Sequence, residues 1–236
     1  MRHHEQVARF VDLNADLGES PERWASGEDV ALLEVVTSAN VCTGAYAGDD
    51  ELIAATCAVA VERGVAIGAQ VGYPDREGFG RRPLELAPSV LTAEIARQIA
   101  HIDTIARSFG AAVSYVKPHG ALYHRIVTDP RQARAVRAAL GDLPLMAMAG
   151  TRPGGTPPHI AEGFADRGYA DETSLISRGQ PGDLITEPDA VAAQVIRLLG
   201  IGVDSICVHS DSPDAVALAR AARAALEAAG AQVRRP

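Results

Sequence analysis

Several features are scarce in this sequence of 236 residues. Aromatic residues make up only 4% of it, so we expect an aliphatic core built from Ala, Val and Leu. Acidic residues outnumber basic ones, 30 to 22, and the resulting net charge of −8 argues against a nucleic-acid-binding surface. No apolar run approaches the roughly 20 residues that cross a bilayer, and no apolar signal core follows the first residues. We therefore expect a protein that neither spans a membrane nor binds nucleic acid.

Cysteine is also rare. The three thiols of Cys42, Cys57 and Cys207 are odd in number and far apart in the chain. This usage is typical of reduced thiols, so we predict a cytoplasmic protein. The first apolar run is not followed by a G-x-G-x-x-G motif, which argues against a dinucleotide-binding domain.

Short apolar runs alternate with longer helical patterns through most of the sequence. The runs predicted to be strands are 9–14, 38–42, 65–70, 113–118, 143–149, 161–166 and 205–210. The predicted helices are 29–36, 49–63, 88–109, 129–140, 188–199 and 213–229. Four glycines are expected to close helices at their C-terminal ends, namely Gly110, Gly141, Gly200 and Gly230.

This alternation indicates an α/β fold with a mostly parallel sheet, either doubly wound or closed into a barrel. Seven strands leave an eight-strand barrel one short, so we predict an irregular (β/α)7 TIM-like barrel. No linker divides the chain, and residues 1–236 are predicted to form one domain.

The stretch 10–20, read as a strand, carries three polar side chains on one face. Because side chains alternate along a strand, Asp12, Asn14 and Asp16 share a face. Gly18 ends the run, and Glu19 follows it. An unpaired buried carboxylate is costly, so this is either an exposed edge strand or a strand whose polar face lines a functional cavity.

Sites in barrels and open parallel sheets form where the strands end. The polar residues that follow the predicted strands are therefore candidates for binding a small-molecule substrate. They are Asn14, Glu19, Asn40, Tyr46, Asp49, Gln70, Tyr73, Arg81 and Arg82. The two arginines follow a Gly-rich loop, and they either hold a carboxylate or phosphate bidentately or belong to a solvated loop.

Three residues are candidates for catalysis. Lys117 precedes Pro118, which favours extended geometry, and a lysine in a pocket stabilises an oxyanion or acts as acid or base. His119 carries protons near neutral pH, and Asp16 is the candidate general base. The alternative for Lys117 is a structural ion pair with Asp12 or Asp16 inside a barrel.

A metal site is not predicted. His119 and Asp16, or His209 and Asp211, are the residues that could converge on an ion, but no H-x-x-x-H or H-E-x-x-H spacing supports one. Asp166 and Arg167 are equally compatible with a site and with an internal ion pair.

Taken together, these residues form motifs in an order that resembles the LamB/YcsF family of 5-oxoprolinase A subunits over nearly the whole chain. The matching stretches are Asp12-Leu-Asn-Ala-Asp-Leu-Gly-Glu19, Ser38-Ala-Asn-Val41 with Ala47-Gly-Asp49, Gly72-Tyr-Pro-Asp75 with Gly78-Phe-Gly-Arg-Arg82, Val116-Lys-Pro-His-Gly-Ala-Leu-Tyr123, Phe164-Ala-Asp-Arg167 and Ile206-Cys-Val-His209. Six matches in one order are far more specific than any one of them.

The resemblance implies a barrel of the glycoside hydrolase and deacetylase type. It also implies a role in cleaving 5-oxoproline (pyroglutamate) to glutamate at the expense of ATP, with partner subunits B and C phosphorylating the lactam. A homo-oligomer is a further possible state. On that chemistry our hypothesis assigns Asp16 as base and Lys117 as electrostatic stabiliser. His119 is then the proton donor, and Arg82 binds the substrate carboxylate.

Two departures from the family pattern concern histidine. The family's second strand ends Cys-Gly-Phe-His-Ala-Gly-Asp, where this chain reads Thr43-Gly-Ala-Tyr-Ala-Gly-Asp49. The third ends Gly-Ala-His-Pro-Gly, where this chain reads Gly68-Ala-Gln-Val-Gly72. Tyr46 and Gln70 thus replace two histidines, and they form hydrogen bonds but cannot act as imidazole ligands or neutral-pH bases.

Three functions are compatible with these residues. The first is an active 5-oxoprolinase subunit, which the retained Asp16, Lys117 and His119 favour. The second is a diverged paralogue with a binding role or with a different lactam, amide or carbohydrate substrate, which Tyr46 and Gln70 favour. The third, a metal-dependent carbohydrate deacetylase, requires a metal triad that is not evident in the sequence.

Overall fold

The computed structural model describes residues 9–155, 159–171 and 173–236. The strands within these ranges are β1 (Phe10–Leu17), β2 (Ser38–Cys42), β3 (Ala66–Val71), β4 (Val113–Pro118), β5 (Leu145–Met148), β6 (His159–Phe164), β7 (Ser205–Val208) and β8 (Gln232–Val233). The helices are α1 (Pro21–Ser26), α2 (Glu28–Leu33), α3 (Asp50–Glu62), α4 (Pro88–Ser108), α5 (Gly120–Thr128), α6 (Pro130–Ala139), α7 (Pro188–Ile201) and α8 (Ala215–Ala228).

The first seven strands close into a ring. They run in the order β2-β3-β4-β5-β6-β7-β1, all pairings are parallel, and β1 also pairs with β2. This closed barrel, with helices packed around it, confirms the predicted irregular (β/α)7 TIM-like fold. The short β8 was not predicted, and it pairs with the beginning of β1 through Phe10 and Gln232.

All seven predicted strands and all six predicted helices are present, with ends displaced by a few residues. The strand β1 extends to Leu17, further than the predicted 9–14, because its C-terminal half pairs in register with β2. The helices α1 and α5 were not predicted. The α5 helix begins at Gly120, where φ is 55° and a Cβ atom would lie 2.6 Å from the carbonyl oxygen of Gly80.

Three of the four predicted helix-closing glycines follow their helices, and one prediction is wrong. Gly110, Gly141 and Gly230 have positive φ directly after the C-caps of α4, α6 and α8. Gly200 instead lies inside α7, and Gly202, with φ of 88°, caps that helix. The amphipathic pattern thus continues for one half-turn beyond the glycine that was expected to end it.

The polar face of β1 points into the barrel. Because β1 has a strand on each side, the alternative of an exposed edge strand is wrong. Asp12 accepts hydrogen bonds from the hydroxyl groups of Thr37 (2.7 Å), Ser38 (2.7 Å) and Ser205 (2.5 Å). Burial raises the pKa of Asp12 to about 6 despite these bonds. The polar face of β1 is therefore hydrogen-bonded inside the barrel, which also contains buried apolar residues such as Met146 and Ile160.

Within the described ranges, none of the helices is both long enough and apolar enough to cross a membrane.

Candidate active site

The C-terminal ends of the barrel strands surround a cavity of about 530 Å³. This volume lies in the range of small-molecule binding sites. Its polar lining includes six residues that were selected from the sequence: Asp16, Glu19, Gln70, Arg81, Lys117 and His119. Further lining residues on the described segments include Tyr123, His124, Phe164, Arg167, Arg178, His209 and Asp211. The cavity thus lies where a (β/α) barrel carries its active site.

Lys117, at the end of β4, is the only lysine in the sequence. Its Nζ atom lies 3.0 Å from Oδ1 of Asp16 and 2.7 Å from Oε1 of Glu162, and it donates to the Sγ atom of Cys207 at 3.2 Å. Burial alone would lower the pKa of Lys117, but Asp16, Cys207 and Glu162 together raise it well above its usual value. The ammonium group therefore stays charged. It donates hydrogen bonds to Asp16, Asn14 and Cys207, and Glu162 is a further ion-pair partner.

Glu162 is a member of this cluster that was not selected from the sequence. It lies on β6 with no exposed surface, and its Oε2 atom accepts a hydrogen bond of 2.8 Å from the hydroxyl group of Tyr123. A signal was available in the alternation of β6, where Ile160, Glu162 and Phe164 share one buried face. A glutamate on that face has to point into the barrel.

Two carboxyl groups at the cavity hold opposite protonation states. The Oδ1 atom of Asp16 accepts hydrogen bonds from Nζ of Lys117 at 3.0 Å and from Nδ2 of Asn40 at 2.8 Å. Burial alone would raise the pKa of Asp16, but Lys117 and His209 hold it well below its usual range. Burial and the charge of Asp16 raise the pKa of Glu19 to about 8. At neutral pH Asp16 is ionised and Glu19 is protonated, which is how two carboxyl groups divide the roles of base and acid.

His119 is held as a neutral ring. Its Nε2 atom lies 2.9 Å from the carbonyl oxygen of Phe79, which can only accept, so this nitrogen carries the proton. The Nδ1 atom then accepts from the side-chain amide of Gln70 at 3.2 Å. The ring of Tyr46 stacks on the imidazole with 3.9 Å between centroids. Burial lowers the pKa of His119 to about 4. Both residues that replace family histidines thus contact His119, Gln70 at Nδ1 and Tyr46 on the ring face.

His209 forms a second histidine centre, which was not selected from the sequence as a catalytic residue. Its Nδ1 atom lies 3.0 Å from Oδ1 of Asp166. The Oδ2 atom of Asp166 accepts hydrogen bonds from the backbone N–H of His209 (2.9 Å) and from the hydroxyl group of Ser212 (2.5 Å). The imidazole stacks on Phe164, 5.2 Å between centroids. Burial alone would lower the pKa of His209, but Asp166 raises it. The buried carboxylate therefore directs Nε2 of His209 away from itself and favours the charged ring.

Of the two arginines predicted to bind substrate, Arg81 lies at the cavity and Arg82 at the surface. Arg81 lines the cavity and pairs with Asp211 at 2.7 Å. Arg82 is not among the described residues that line it, because its guanidinium group pairs with Asp75 and Glu77 on the outer side of the loop. The assignment of Arg82 to a substrate carboxylate has no geometric support.

Of the two alternatives for Asp166 and Arg167, the structure favours a place at the site over an ion pair between them. Arg167 donates to the carbonyl oxygens of Asp183 and Ile176, both at 2.9 Å, while the Asp166 carboxylate pairs with His209. Arg167 also lines the cavity.

Five more predicted substrate-binding residues lie behind the described cavity wall. Asn14 and Asn40 are linked by a 2.7 Å hydrogen bond below Asp16, and Tyr46 lies behind His119. Asp49 caps α3 through the N–H of Leu52, and Tyr73 donates to Gln132. Asn14, Asn40 and Tyr46 thus contact residues that line the cavity, whereas Asp49 and Tyr73 have partners outside its lining.

Two overlapping groups place possible metal ligands within 4.8 Å of one another: Asp16, Glu19 and His119, and Asp16, Cys207 and His209. Both groups share Asp16, whose Oδ1 atom already lies 3.0 Å from the Lys117 ammonium. A divalent ion in either group would meet that positive charge at short range. In the first group it would also have to displace the proton of Glu19, and in the second the proton of the Cys207 thiol. The donor set therefore suits a metal ion poorly.

Solved structures place the fold among known barrels. The crystal structure of a lactam utilization protein from Thermus thermophilus superposes with a TM-score of 0.84 at 35% identity, covering 95% of this chain and 98% of that one. A family 4 carbohydrate esterase from Streptomyces lividans superposes with a TM-score of 0.52 at 14% identity, covering 95% of this chain and 91% of that one. The second likeness shows the shared barrel of deacetylase-type proteins and nothing more.

Sequence relatives give the family. The 5-oxoprolinase A subunit of Streptomyces avermitilis is 46% identical, over 95% of this chain and 98% of its own length. The 5-oxoprolinase A subunit of Mycobacterium leprae is 44% identical over 95% of this chain and 98% of its own length. The model of the LamB/YcsF family matches residues 11–236. The chain therefore belongs to the LamB/YcsF family.

Proposed function

We propose that the chain is the A component of an ATP-dependent 5-oxoprolinase, which opens the lactam ring of 5-oxoproline to give L-glutamate. In this proposal partner subunits B and C use ATP to phosphorylate the lactam, and the cavity at the strand ends receives the activated ring. Relatives that are named as A subunits of 5-oxoprolinase, 44–46% identical over 95% of the chain, support the assignment.

The observation that carries the proposal is the division of labour between Asp16 and Glu19 in one cavity. Ring opening adds a hydroxyl group to the carbonyl carbon and a proton to the ring nitrogen. It therefore needs a base for water and an acid for nitrogen in the same site. Asp16 is ionised, and Glu19, with a pKa of about 8, is protonated at neutral pH.

The proposed step proceeds as follows. Asp16 takes a proton from a water molecule whose oxygen attacks the carbonyl carbon of the activated lactam. Glu19 gives its proton to the ring nitrogen. As the carbon–nitrogen bond breaks, the nitrogen takes a second proton from Asp16, and the new hydroxyl group returns one to Glu19. The phosphate stays on the carboxyl carbon as an acyl phosphate, which a second water molecule hydrolyses to L-glutamate and inorganic phosphate. Because the charge of Asp16 is one cause of the raised pKa of Glu19, neutralising Asp16 makes Glu19 a stronger acid at the moment when the nitrogen departs.

The remaining residues take supporting roles. Lys117 is a positioning residue in this scheme, because its N–H donors are held by protein groups rather than aimed at a ligand. His209, whose pKa Asp166 raises, is the group that stabilises the oxygen of the tetrahedral intermediate when its ring is protonated. His119 is neutral and hydrogen-bonded at both nitrogens, so Glu19 replaces it as the proposed proton donor.

The test is glutamate release from 5-oxoproline and ATP by the purified chain with its cognate B and C subunits. We expect release that requires all three subunits and falls by roughly 10²–10⁴-fold in Asp16→Asn. Asp142→Asn, at an exposed residue, is the matched control and should retain full activity. Circular dichroism of both variants checks that the barrel is intact.

The opposite result is equally informative. If the folded chain releases no glutamate with B and C subunits that are active beside another A subunit, the proposal is wrong. The chain is then a diverged paralogue, and Tyr46 and Gln70 are the positions at which it departs from the family pattern.

A further inference from the structure

Two arginines from different loops meet on one carboxylate oxygen at the cavity. Arg81 follows β3, and its Nη2 atom lies 2.7 Å from Oδ2 of Asp211. Arg178 belongs to the segment between β6 and α7, and its Nη1 atom lies 3.5 Å from the same oxygen. All three residues line the cavity. Asp211 thus aligns two guanidinium groups that belong to distant parts of the chain.

The charges of Arg81, Arg178 and Asp211 do not cancel. Two guanidinium groups share one carboxylate, which leaves one net positive charge. Arg167 adds to it, because it is 5% exposed and is held by carbonyl oxygens rather than by an acid. Burial and the neighbouring Arg178 lower the pKa of Arg167, while Asp166, Asp183 and Asp211 act in the opposite direction. An anion is the ligand that this arrangement lacks.

The donors of the pair are available for such a ligand. A guanidinium group presents five N–H donors in a planar fork, and the bonds to Asp211 engage only one nitrogen of each arginine. The side chains of Arg81 and Arg178 are 40% and 37% exposed, so a ligand that enters the cavity reaches them. Paired forks of this kind bind carboxylates bidentately.

We propose that Arg81 and Arg178, aligned by Asp211, form a subsite that binds the carboxylate of the small-molecule substrate. The inference rests on the proposed function for its substrate, since 5-oxoproline is a lactam that carries one carboxylate. Anchoring that group directs the ring toward Asp16 and Glu19, which line the same cavity. The subsite also replaces Arg82, which was assigned to this role from the sequence.

The experiment is isothermal titration calorimetry on the full chain with 5-oxoproline, with 2-pyrrolidone, which is the same lactam without the carboxylate, and with inorganic phosphate. The variants are Arg81→Ala and Arg178→Ala. Arg220→Ala, on the exposed face of α8, is a control that removes the same charge elsewhere. Arg82→Ala tests the neighbouring arginine.

We expect each cavity variant to weaken 5-oxoproline binding by roughly 10- to 100-fold, with Arg220→Ala and Arg82→Ala near wild type. The affinity for 2-pyrrolidone should be the same in all forms. Unchanged 5-oxoproline binding in both cavity variants would overturn the subsite, and so would an equal loss of 2-pyrrolidone binding. Phosphate that binds more tightly than any carboxylate, with the same arginine dependence, would overturn the assignment to a carboxylate.

Different results would rule out the subsite and the proposed function. If 5-oxoproline does not bind but succinate, titrated in the same way, binds with the same dependence on Arg81 and Arg178, the subsite stands and the proposed substrate is wrong. If none of these carboxylates binds while glutamate is still released with subunits B and C, the function stands and the subsite is wrong.

Discussion

Lys117 and Asp16 form a buried ion pair in which Nζ lies 3.0 Å from Oδ1, between the ends of β4 and β1. From the sequence, a structural ion pair and a functional lysine were alternatives for Lys117. Both descriptions apply in the structure, because the ion pair lies in the cavity wall and keeps Asp16 ionised. Lys117 also pairs with Glu162, so two buried carboxylates share its ammonium group.

The ionisation of Lys117 can be observed without assignment, because the sequence contains a single lysine. Labelling with [¹³C]lysine gives one side-chain Cε signal, whose chemical shift reports protonation. Since Asp16, Cys207 and Glu162 raise the pKa of Lys117, we expect no titration up to about pH 10, near the ordinary lysine value of about 10.4. A midpoint below about 9 would contradict the shared ion pair. Glu162→Gln removes one partner and should move the midpoint down.

Replacement of Lys117 by Met should lower glutamate release by roughly 10²–10³-fold with the partner subunits present. The reason is the pKa of Asp16, which rises when the ammonium is lost, so the acidic limb of the pH–rate profile should move to higher pH. Unchanged turnover would rule out the positioning role.

Stability is the control for this variant, since Lys117→Met leaves two buried carboxylates without their partner. The double variant Lys117→Met with Glu162→Gln removes one of those charges and should recover part of the lost stability. If it recovers stability but not turnover, the effect on activity arises at Asp16 rather than from unfolding.

Strand positions were predictable from the sequence because each strand has a local signal, a short apolar run followed by polar residues and glycine. The seven runs were therefore found, and the residues at their ends do surround one cavity. The alternation of β6 predicts that Glu162 points into the barrel, but its role could not be predicted because it depends on Lys117, which is two strands earlier in the chain and pairs with it only in the folded barrel.

Loop residues were the least predictable. Arg81 and Arg82 are adjacent and chemically identical, yet one faces Asp211 and the other faces Asp75. That choice depends on a residue 130 positions away, which no local pattern encodes. The protonation of Glu19 is similar, because it depends on burial and on the charge of Asp16 rather than on residue type.

Glu19 should make stability depend on pH. Its pKa is about 8 in the folded chain against an ordinary value of 4.5. Between these values the unfolded chain has released this proton and the folded chain keeps it, so the contribution of Glu19 to stability falls as pH rises. Glu19→Gln removes the titration, and the Tm of the variant minus that of wild type should grow from about pH 5 to about pH 8.

Thermal unfolding across that range is the measurement, with Glu51→Gln at an exposed position of α3 as the control for loss of a surface carboxylate. A Tm difference that stays flat or shrinks would show that Glu19 is ionised at neutral pH. In the assembled enzyme, a proton donor with this pKa also requires glutamate release to decline above about pH 8.

Replacement by alanine should change stability in opposite directions at two glycines near the C-terminal end of α7, Gly200 within the helix and Gly202 at its cap. Gly200 lies within the helix, and a Cβ atom there meets nothing within 4 Å, so Gly200→Ala should stabilise the chain by roughly 0.5–1 kcal/mol. Gly202 has φ of 88°, which costs an L-residue about 1–2 kcal/mol, so Gly202→Ala should destabilise. Urea unfolding measures both. A stabilising Gly202→Ala, or a destabilising Gly200→Ala, would place the helix end at Gly200, as the sequence predicted.

The Asp166 carboxylate should control both the charge of His209 and the rate. Asp166→Asn keeps the shape of the side chain but removes the charge that raises the pKa of His209, so that pKa should fall. Without a charged imidazole the oxyanion loses stabilisation, and glutamate release should drop by roughly 10²–10³-fold.

The His209 ring signal in NMR titrations gives the pKa, and Ser212→Ala is the matched control because it removes a 2.5 Å hydrogen bond to Asp166 while keeping the carboxylate. If Ser212→Ala costs as much activity as Asp166→Asn, the loss comes from packing around Asp166 and not from its charge. If the pKa of His209 stays raised in Asp166→Asn, another carboxylate holds it, and Asp16 is the next group acting on it. The double variant Asp166→Asn with Asp16→Asn then separates the two, because the pKa falls there only if Asp16 was the remaining cause.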